Sequence, residues 1–211
     1  MPRPRLRGSS HLLAAALAMP LAVLWVLTVP AGQPRLAVAA FAFGIATMFT
    51  CSALLHLQRW NPATYERLFR LDHTGIYLAI GGTGIALALL GLNGWASTTL
   101  LVCSLAGMAF GIAVEWLPFA PPKGFNSAIY LTFGWVPVAL LPWLWMANGW
   151  LIVLLLMAGG LVYTVGATVV GLRRPNLVPG WFGYHELFHL FVIFAVAIHA
   201  WMIAELISRT T

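Results

Sequence analysis

The sequence predicts an all-α integral membrane protein, a bundle of seven transmembrane helices with the N-terminus cytoplasmic and the C-terminus outside. Three observations carry that expectation. Of 211 residues, 61% are hydrophobic and 8% charged, with a mean hydropathy of +0.90, whereas an ordinary soluble domain has roughly 25% charged residues. Seven apolar runs follow one another, each close to the ~20 residues that a hydrocarbon layer about 30 Å thick requires. The basic residues of the intervening loops fall predominantly on one side.

The runs cover residues 12–29, 36–55, 71–92, 96–117, 126–146, 150–171 and 183–207, forming one transmembrane domain over 1–211 with no room for a soluble one. The first follows Arg3, Arg5 and Arg7 and precedes Ala31-Gly32. That pattern fits a signal peptide, but the run exceeds the usual 7 to 15 residue apolar region and reads as a span. Pro30 and Pro34 separate it from the second, Asn61-Pro62 the second from the third, and Asn93-Gly94 the third from the fourth. Pro118, Pro121 and Pro122 end the fourth, Asn148-Gly149 the fifth, and Pro175 and Pro179 the sixth. All of this is turn chemistry, and the short connections make sequence neighbours antiparallel.

The net charge of +6 does not mark a nucleic-acid partner, because the basic residues are scattered rather than clustered. Their distribution is topological. With the N-terminus inside, nine basic residues are cytoplasmic (Arg3, Arg5, Arg7, Arg59, Arg67, Arg70, Lys123, Arg173 and Arg174) and two, Arg35 and Arg209, lie opposite. This is the asymmetry of the positive-inside rule. Cys51 and Cys103 fall inside apolar runs without zinc-finger or disulfide spacing and read as small core residues.

Ionisable residues at membrane depth are expensive and therefore functional candidates. His185 and His189 stand four apart at the start of the last helix, which puts both imidazoles on one face, one turn apart. Alone, the pair could be two interfacial histidines. Its weight comes from convergence, since His56 ends the second helix and Asp72, the one aspartate, begins the third on that same side. Three imidazoles and a water make the open arrangement of a catalytic zinc. Asp72 then serves either as a direct ligand or as an acceptor beside the metal, the latter being favoured; the bland reading is a helix cap or an ion pair with Arg67 or Arg70.

Ser52, one turn before His56, either orients the site or back-bonds to its own helix. His73, turned about 100° from Asp72, is left out of the ligand set. His199 lies about 15 Å beyond His189 along the axis, too deep for the same ion. His185-Glu186-Leu187-Phe188-His189 also spells H-E-x-x-H, in which the glutamate would be a general base. Glu186 could equally face the interface or pair with Arg173 or Arg174.

Ser52 to His56, Arg70-Leu71-Asp72-His73 with Ile76-Tyr77, and Gly183 to His189 followed by His199 resemble the haemolysin III branch of the progestin and adipoQ receptor (adiponectin receptor-like) family. The likeness extends over nearly the whole chain, taking in Tyr130, Gly134-Trp135 and the stretch from Tyr163 through Gly166 to Asn176. It implies seven helices, a cytoplasmic N-terminus, and zinc on His56, His185 and His189, with Asp72 and Ser52 in the same cluster. It further implies lipid sensing, with proposed ceramide-hydrolysing activity in eukaryotic relatives and a cytolytic name in bacterial ones. The chain departs from the bacterial pattern at Gly81-Gly82-Thr83-Gly84-Ile85, where a Gly-Thr-Tyr-Thr-Pro run is usual.

The function expected is that of a plasma-membrane zinc hydrolase, whose metal-activated water attacks an amide or ester of a membrane lipid with Asp72 and Ser52 as catalytic groups. A membrane sensor with structural zinc is the alternative. A cytolytic pore is disfavoured, because the spans carry too few polar residues to line a channel. The charge asymmetry generates a test: single cysteines at 123 and 173 should be protected from an impermeant thiol reagent added outside, and a C-terminal tag at 211 should be exposed. A cytoplasmic C-terminus would contradict the assignment.

Overall fold

The structure, a computed structural model, describes residues 4–118 and 125–209. Arg3, Lys123 and Thr211, used above for topology, and the breakers Pro121 and Pro122 lie outside the described residues. The elements are α1 (Ser9–Thr28), α2 (Gln33–Leu57), α3 (Pro62–Gly91), α4 (Gly94–Trp116), α5 (Phe125–Gly134), a 3₁₀ turn (Val136–Leu140), α6 (Leu141–Asn148), α7 (Trp150–Leu172) and α8 (Tyr184–Ser208). Taking Phe125–Asn148 as one crossing, seven helices among the described residues are long and apolar enough to span a bilayer. The chain is a multi-pass membrane protein.

Two elements differ from the sequence reading, each for a local reason. α3 begins at Pro62 rather than Leu71. Asn61 caps it by accepting from the Thr64 backbone N–H at 2.9 Å, and Pro62 occupies the first turn, where its missing N–H costs nothing. Charged residues therefore occupy helical turns ahead of the apolar run, tied by Arg70 Nε to Glu66 Oε1 at 2.9 Å. The fifth crossing is broken. Pro137 and Pro142 each remove a backbone donor from an α-helical ladder, and the chain passes through the 3₁₀ turn between α5 and α6. Irregular backbone at this depth is tolerated where it lines a cavity, and Trp135, Val136 and Pro137 do line one.

α2 and α3 are the most buried helices, followed by α8, whereas α1 carries Leu13, Leu17, Leu21, Leu24 and Leu27 exposed along its length. In a bilayer those side chains meet lipid. α2 and α3 make the most extensive helix pair, and small residues allow it. A Cβ at Gly75 would lie 2.7 Å from the Met48 Cα, and Cβ atoms at Gly44 and Gly82 would strike the carbonyls of Leu78 and Ala40. Backbone approach through small residues is the usual route to tight packing between membrane helices, because lipid supplies no hydrophobic force between them.

The Gly81–Ile85 stretch belongs to the same seam. Gly82 faces α2, Gly84 faces Ser104 of α4, and Thr83 donates to the Ala79 carbonyl at 2.8 Å. The departure from the bacterial pattern thus serves close packing on both sides of α3. Gly75→Leu should force α2 and α3 apart, costing on the order of the 1–3 kcal/mol of an overpacked core. A lowered Tm in detergent is expected, and an unchanged Tm would mean that the seam is not tightly closed.

Candidate metal centre

The three histidines expected as ligands come together. His56 is the penultimate residue of α2, and His185 and His189 occupy the first two turns of α8. One ligand atom from each lies within 4.8 Å of those of the other two. His185 Nε2 is 3.1 Å from His56 Nε2, and the ring centroids are separated by 4.6, 4.6 and 5.2 Å. Tetrahedral coordination at metal–nitrogen distances of about 2.0–2.1 Å places donor atoms roughly 3.3 Å apart. The His56–His185 separation is already near that value, and the three ligand atoms are close enough together to share an ion. The buried Nδ1 of His189 has no hydrogen-bond partner among the described residues, and buried polar atoms normally have one. Donor chemistry and geometry both fit a metal.

Local sequence explains how α8 presents its pair. Gly183 opens the helix, its backbone N–H donating to Glu186 Oε2 at 2.8 Å, and the Tyr184 N–H donates to Asn176 Oδ1 at 3.3 Å. The other Glu186 oxygen, Oε1, pairs with Arg7 Nε at 2.9 Å. Glu186 thus caps its own helix and fastens the N-terminal segment, with Arg7 as its partner rather than Arg173 or Arg174. Its place in H-E-x-x-H does not give it the role of a base. The same segment is held by Arg5 N–H to Gly180 O at 3.0 Å, Leu6 N–H to Trp181 O at 3.2 Å, and the Arg5 guanidinium 4.5 Å from the Trp181 ring centre. Gly8, at φ +84°, brings this strap onto His56: a Cβ there would lie 2.8 Å from the His56 carbonyl carbon.

Asp72 lies beside the triangle, with Oδ2 3.8 Å from His56 Nε2, beyond direct hydrogen bonding. Among the described residues Asp72 forms no ion pair with Arg67 or Arg70, and Arg70 instead engages Glu66 and the carbonyls of Glu115 and Leu117. Ser52 is buried one turn before His56, against the Asp72 carboxylate. His199 stands apart from the centre, its Nε2 3.3 Å from the Leu156 carbonyl oxygen. Cys51 and Cys103 are free and half-buried.

His73 turns away from the triangle to a second polar group that sequence reading missed. Its Nδ1 lies 2.8 Å from Glu115 Oε1 at the end of α4, and that oxygen also receives Asn126 Nδ2 at 2.6 Å and the Tyr130 hydroxyl at 3.4 Å. Glu115 was detectable as an acidic residue inside an apolar run. His11 was also missed: it is 3% exposed and stacks on His189 with centroids 3.7 Å apart and planes 10° from parallel. No spacing rule connects α1 to α8, so only the fold reveals that contact.

A cavity of about 420 Å³ opens from His56, Ser52, Asp72 and His185 and runs inward to Tyr163 and His199. Its inner walls include Ile76, Ile80, Leu87, Leu100, Val192 and Phe188. A family model described as haemolysin-III related matches residues 1–200. The chain belongs to the haemolysin-III related family. Among similar proteins, the Hemolysin-3 of Bacillus cereus is 29% identical over 191 residues, covering 87% of this chain and 82% of that one. The adiponectin receptor protein of Drosophila melanogaster is 26% identical over 198 residues, covering 82% of this chain but only 43% of its own length. The haemolysin-III related chain therefore spans less than half of that receptor.

The geometry generates a direct expectation. Purified protein should carry one divalent metal per chain, and His185→Ala or His189→Ala should remove it, because two remaining imidazoles hold such an ion poorly. Elemental analysis reads this. Full occupancy in the double variant would rule out the site.

Proposed function

We propose that the three imidazoles hold zinc and that the protein is a plasma-membrane hydrolase acting on an amide or ester bond of a membrane lipid. The N-terminus is then cytoplasmic and the metal centre sits near the cytoplasmic face. The observation that carries this reading is a three-nitrogen set with a carboxylate beside it, opening into a cavity walled largely by apolar side chains. A structural zinc is normally closed by a fourth protein ligand, and three leave a position for chemistry.

Zinc in that position supplies a water acidified to a pKa near 7 and a Lewis acid for a carbonyl. The chain does the rest. Asp72, with Oδ2 3.8 Å from His56 Nε2, would stand next to a water held by the metal beside the imidazoles and accept its proton as general base. The Ser52 hydroxyl holds the carboxylate in place. The apolar wall receives an acyl chain and aligns its carbonyl with the site, which is how positioning lowers a barrier.

A second reading rests on a separate observation. α2 and α8 touch each other little, yet both supply imidazoles, so a metal would tie two helices that packing alone barely joins. That arrangement suits a membrane sensor with structural zinc, in keeping with the receptor name of the Drosophila relative. Asp72→Asn separates the two. For the hydrolase, zinc content stays near wild type while turnover of long-chain amides and esters falls by the 10²- to 10⁴-fold typical of losing a general base. Unchanged hydrolysis at full zinc would defeat Asp72 as the base, and lost zinc with no hydrolysis by wild type would favour the sensor.

A further inference from the structure

The cavity has a second acid–base group that the zinc hydrolase reading leaves without a task. His73 and Tyr130 both line it, and Glu115 stands behind His73. The Glu115 side chain is 6% exposed and the His73 side chain 17%. A buried carboxylate on imidazole Nδ1 fixes the ring orientation and stabilises the imidazolium, the form in which Nε2 also carries a proton to give to whatever lies before it. Nδ1 is engaged here, and Nε2 is the nitrogen left for the cavity. Tying α3, α4 and α5 together would need only neutral amides and hydroxyls. A histidine and a glutamate at this depth are a costlier choice, which marks the pair as functional.

Placement supports the same conclusion. Asp72 and His73 are consecutive, so their Cα atoms are about 3.8 Å apart and their side chains diverge by about 100° on the helix. Both reach one cavity. A substrate lying in that cavity meets Asp72 beside the three-histidine centre and His73 on the adjoining face of α3.

We propose that His73, oriented by Glu115, is the proton donor to the leaving group, a catalytic residue distinct from the base Asp72. This rests on the hydrolase reading. Water adds its oxygen to the carbonyl carbon and gives one proton to Asp72. When the carbon–nitrogen bond of an amide breaks, its electron pair goes to nitrogen, which takes the proton from His73 Nε2. The proton on Asp72 then returns to His73 through cavity water, so that amide and water give acid and amine with both groups restored. Esters of good leaving groups, whose alkoxide or phenoxide departs unaided, need no such donor.

The test uses wild-type, His73→Asn and Glu115→Gln proteins, purified with their metal, on a long-chain fatty acyl amide and the p-nitrophenyl ester of the same acid. The amide side chain of the His73→Asn variant keeps an N–H for Glu115 and loses Nε2. Amide turnover by His73→Asn should fall about 10²- to 10⁴-fold while ester turnover stays within about threefold of wild type, and Glu115→Gln should lose less in the same amide-selective sense. Bound metal and Tm are read on each variant, because a merely structural role would lower both substrates together. Equal losses on amide and ester, or none on either, would overturn the proposal. Should the variants not fold, wild type decides: kcat/KM across ring-substituted anilides should depend weakly on leaving-group pKa, and a steep dependence would overturn it. If wild type hydrolyses neither substrate, the hydrolase reading itself has failed and the donor role falls with it.

Discussion

The closing of α2 onto α3 is the constraint on which the rest of the structure depends. Gly44, Gly75 and Gly82 let the two backbones meet with no side chain between them. Along that seam Gly82 faces Ala40, Gly44 faces Leu78, Gly75 faces Met48, and Ser52 meets Asp72. Each step moves about one turn up one helix and one turn down the other. One turn beyond Ser52, the His56 ring comes within 3.8 Å of the Asp72 carboxylate. A bulkier residue anywhere on the seam would change the depth or separation of these groups, and with them the position of any metal relative to its neighbouring carboxylate.

Around this pair the bundle solves one problem repeatedly. Hydrocarbon offers no hydrogen bonds, so each polar group must find a partner within the protein. Glu186 does so with the start of α8 and with Arg7, Glu115 with His73, Asn126 and Tyr130, and Gln33 and Asn148 with the last turn of α3 through the carbonyls of Leu89 and Gly91. Arg209 closes the far end by donating to the Asn148 carbonyl. The three imidazoles are served less completely. Two of their nitrogens face each other at 3.1 Å and a third nitrogen, His189 Nδ1, is buried without a partner among the described residues. The His185–His56 contact leaves His189 Nδ1 unserved, and a cation shared by the three rings would serve it.

Much of the centre was legible in the sequence because depth and helical phase suffice to define it. Alternating crossings put His56, Asp72, His185 and His189 at one level, and the four-residue spacing put the last two on one face. What could not be read was lateral. Which neighbour α4 offers to α3 determines that His73 meets Glu115, and which strap crosses the start of α8 determines that Glu186 meets Arg7 rather than a metal-bound substrate. The H-E-x-x-H spelling was misleading for that reason: a helix cap needs a carboxylate at this same position. The break in the fifth crossing was legible in principle, since Pro137 and Pro142 stand inside its apolar run, but hydropathy alone does not register a lost backbone donor.

The central claim is that His56, His185 and His189 together hold one metal ion with a position left open. X-ray absorption at the metal edge of the purified protein tests it most directly, because outer-shell scattering counts imidazoles and the first shell reports their distance. Three imidazoles at about 2.0–2.1 Å with one further light ligand is the result expected. A sulfur ligand from Cys51, a fourth imidazole closing the shell, or metal bound without imidazole would contradict it.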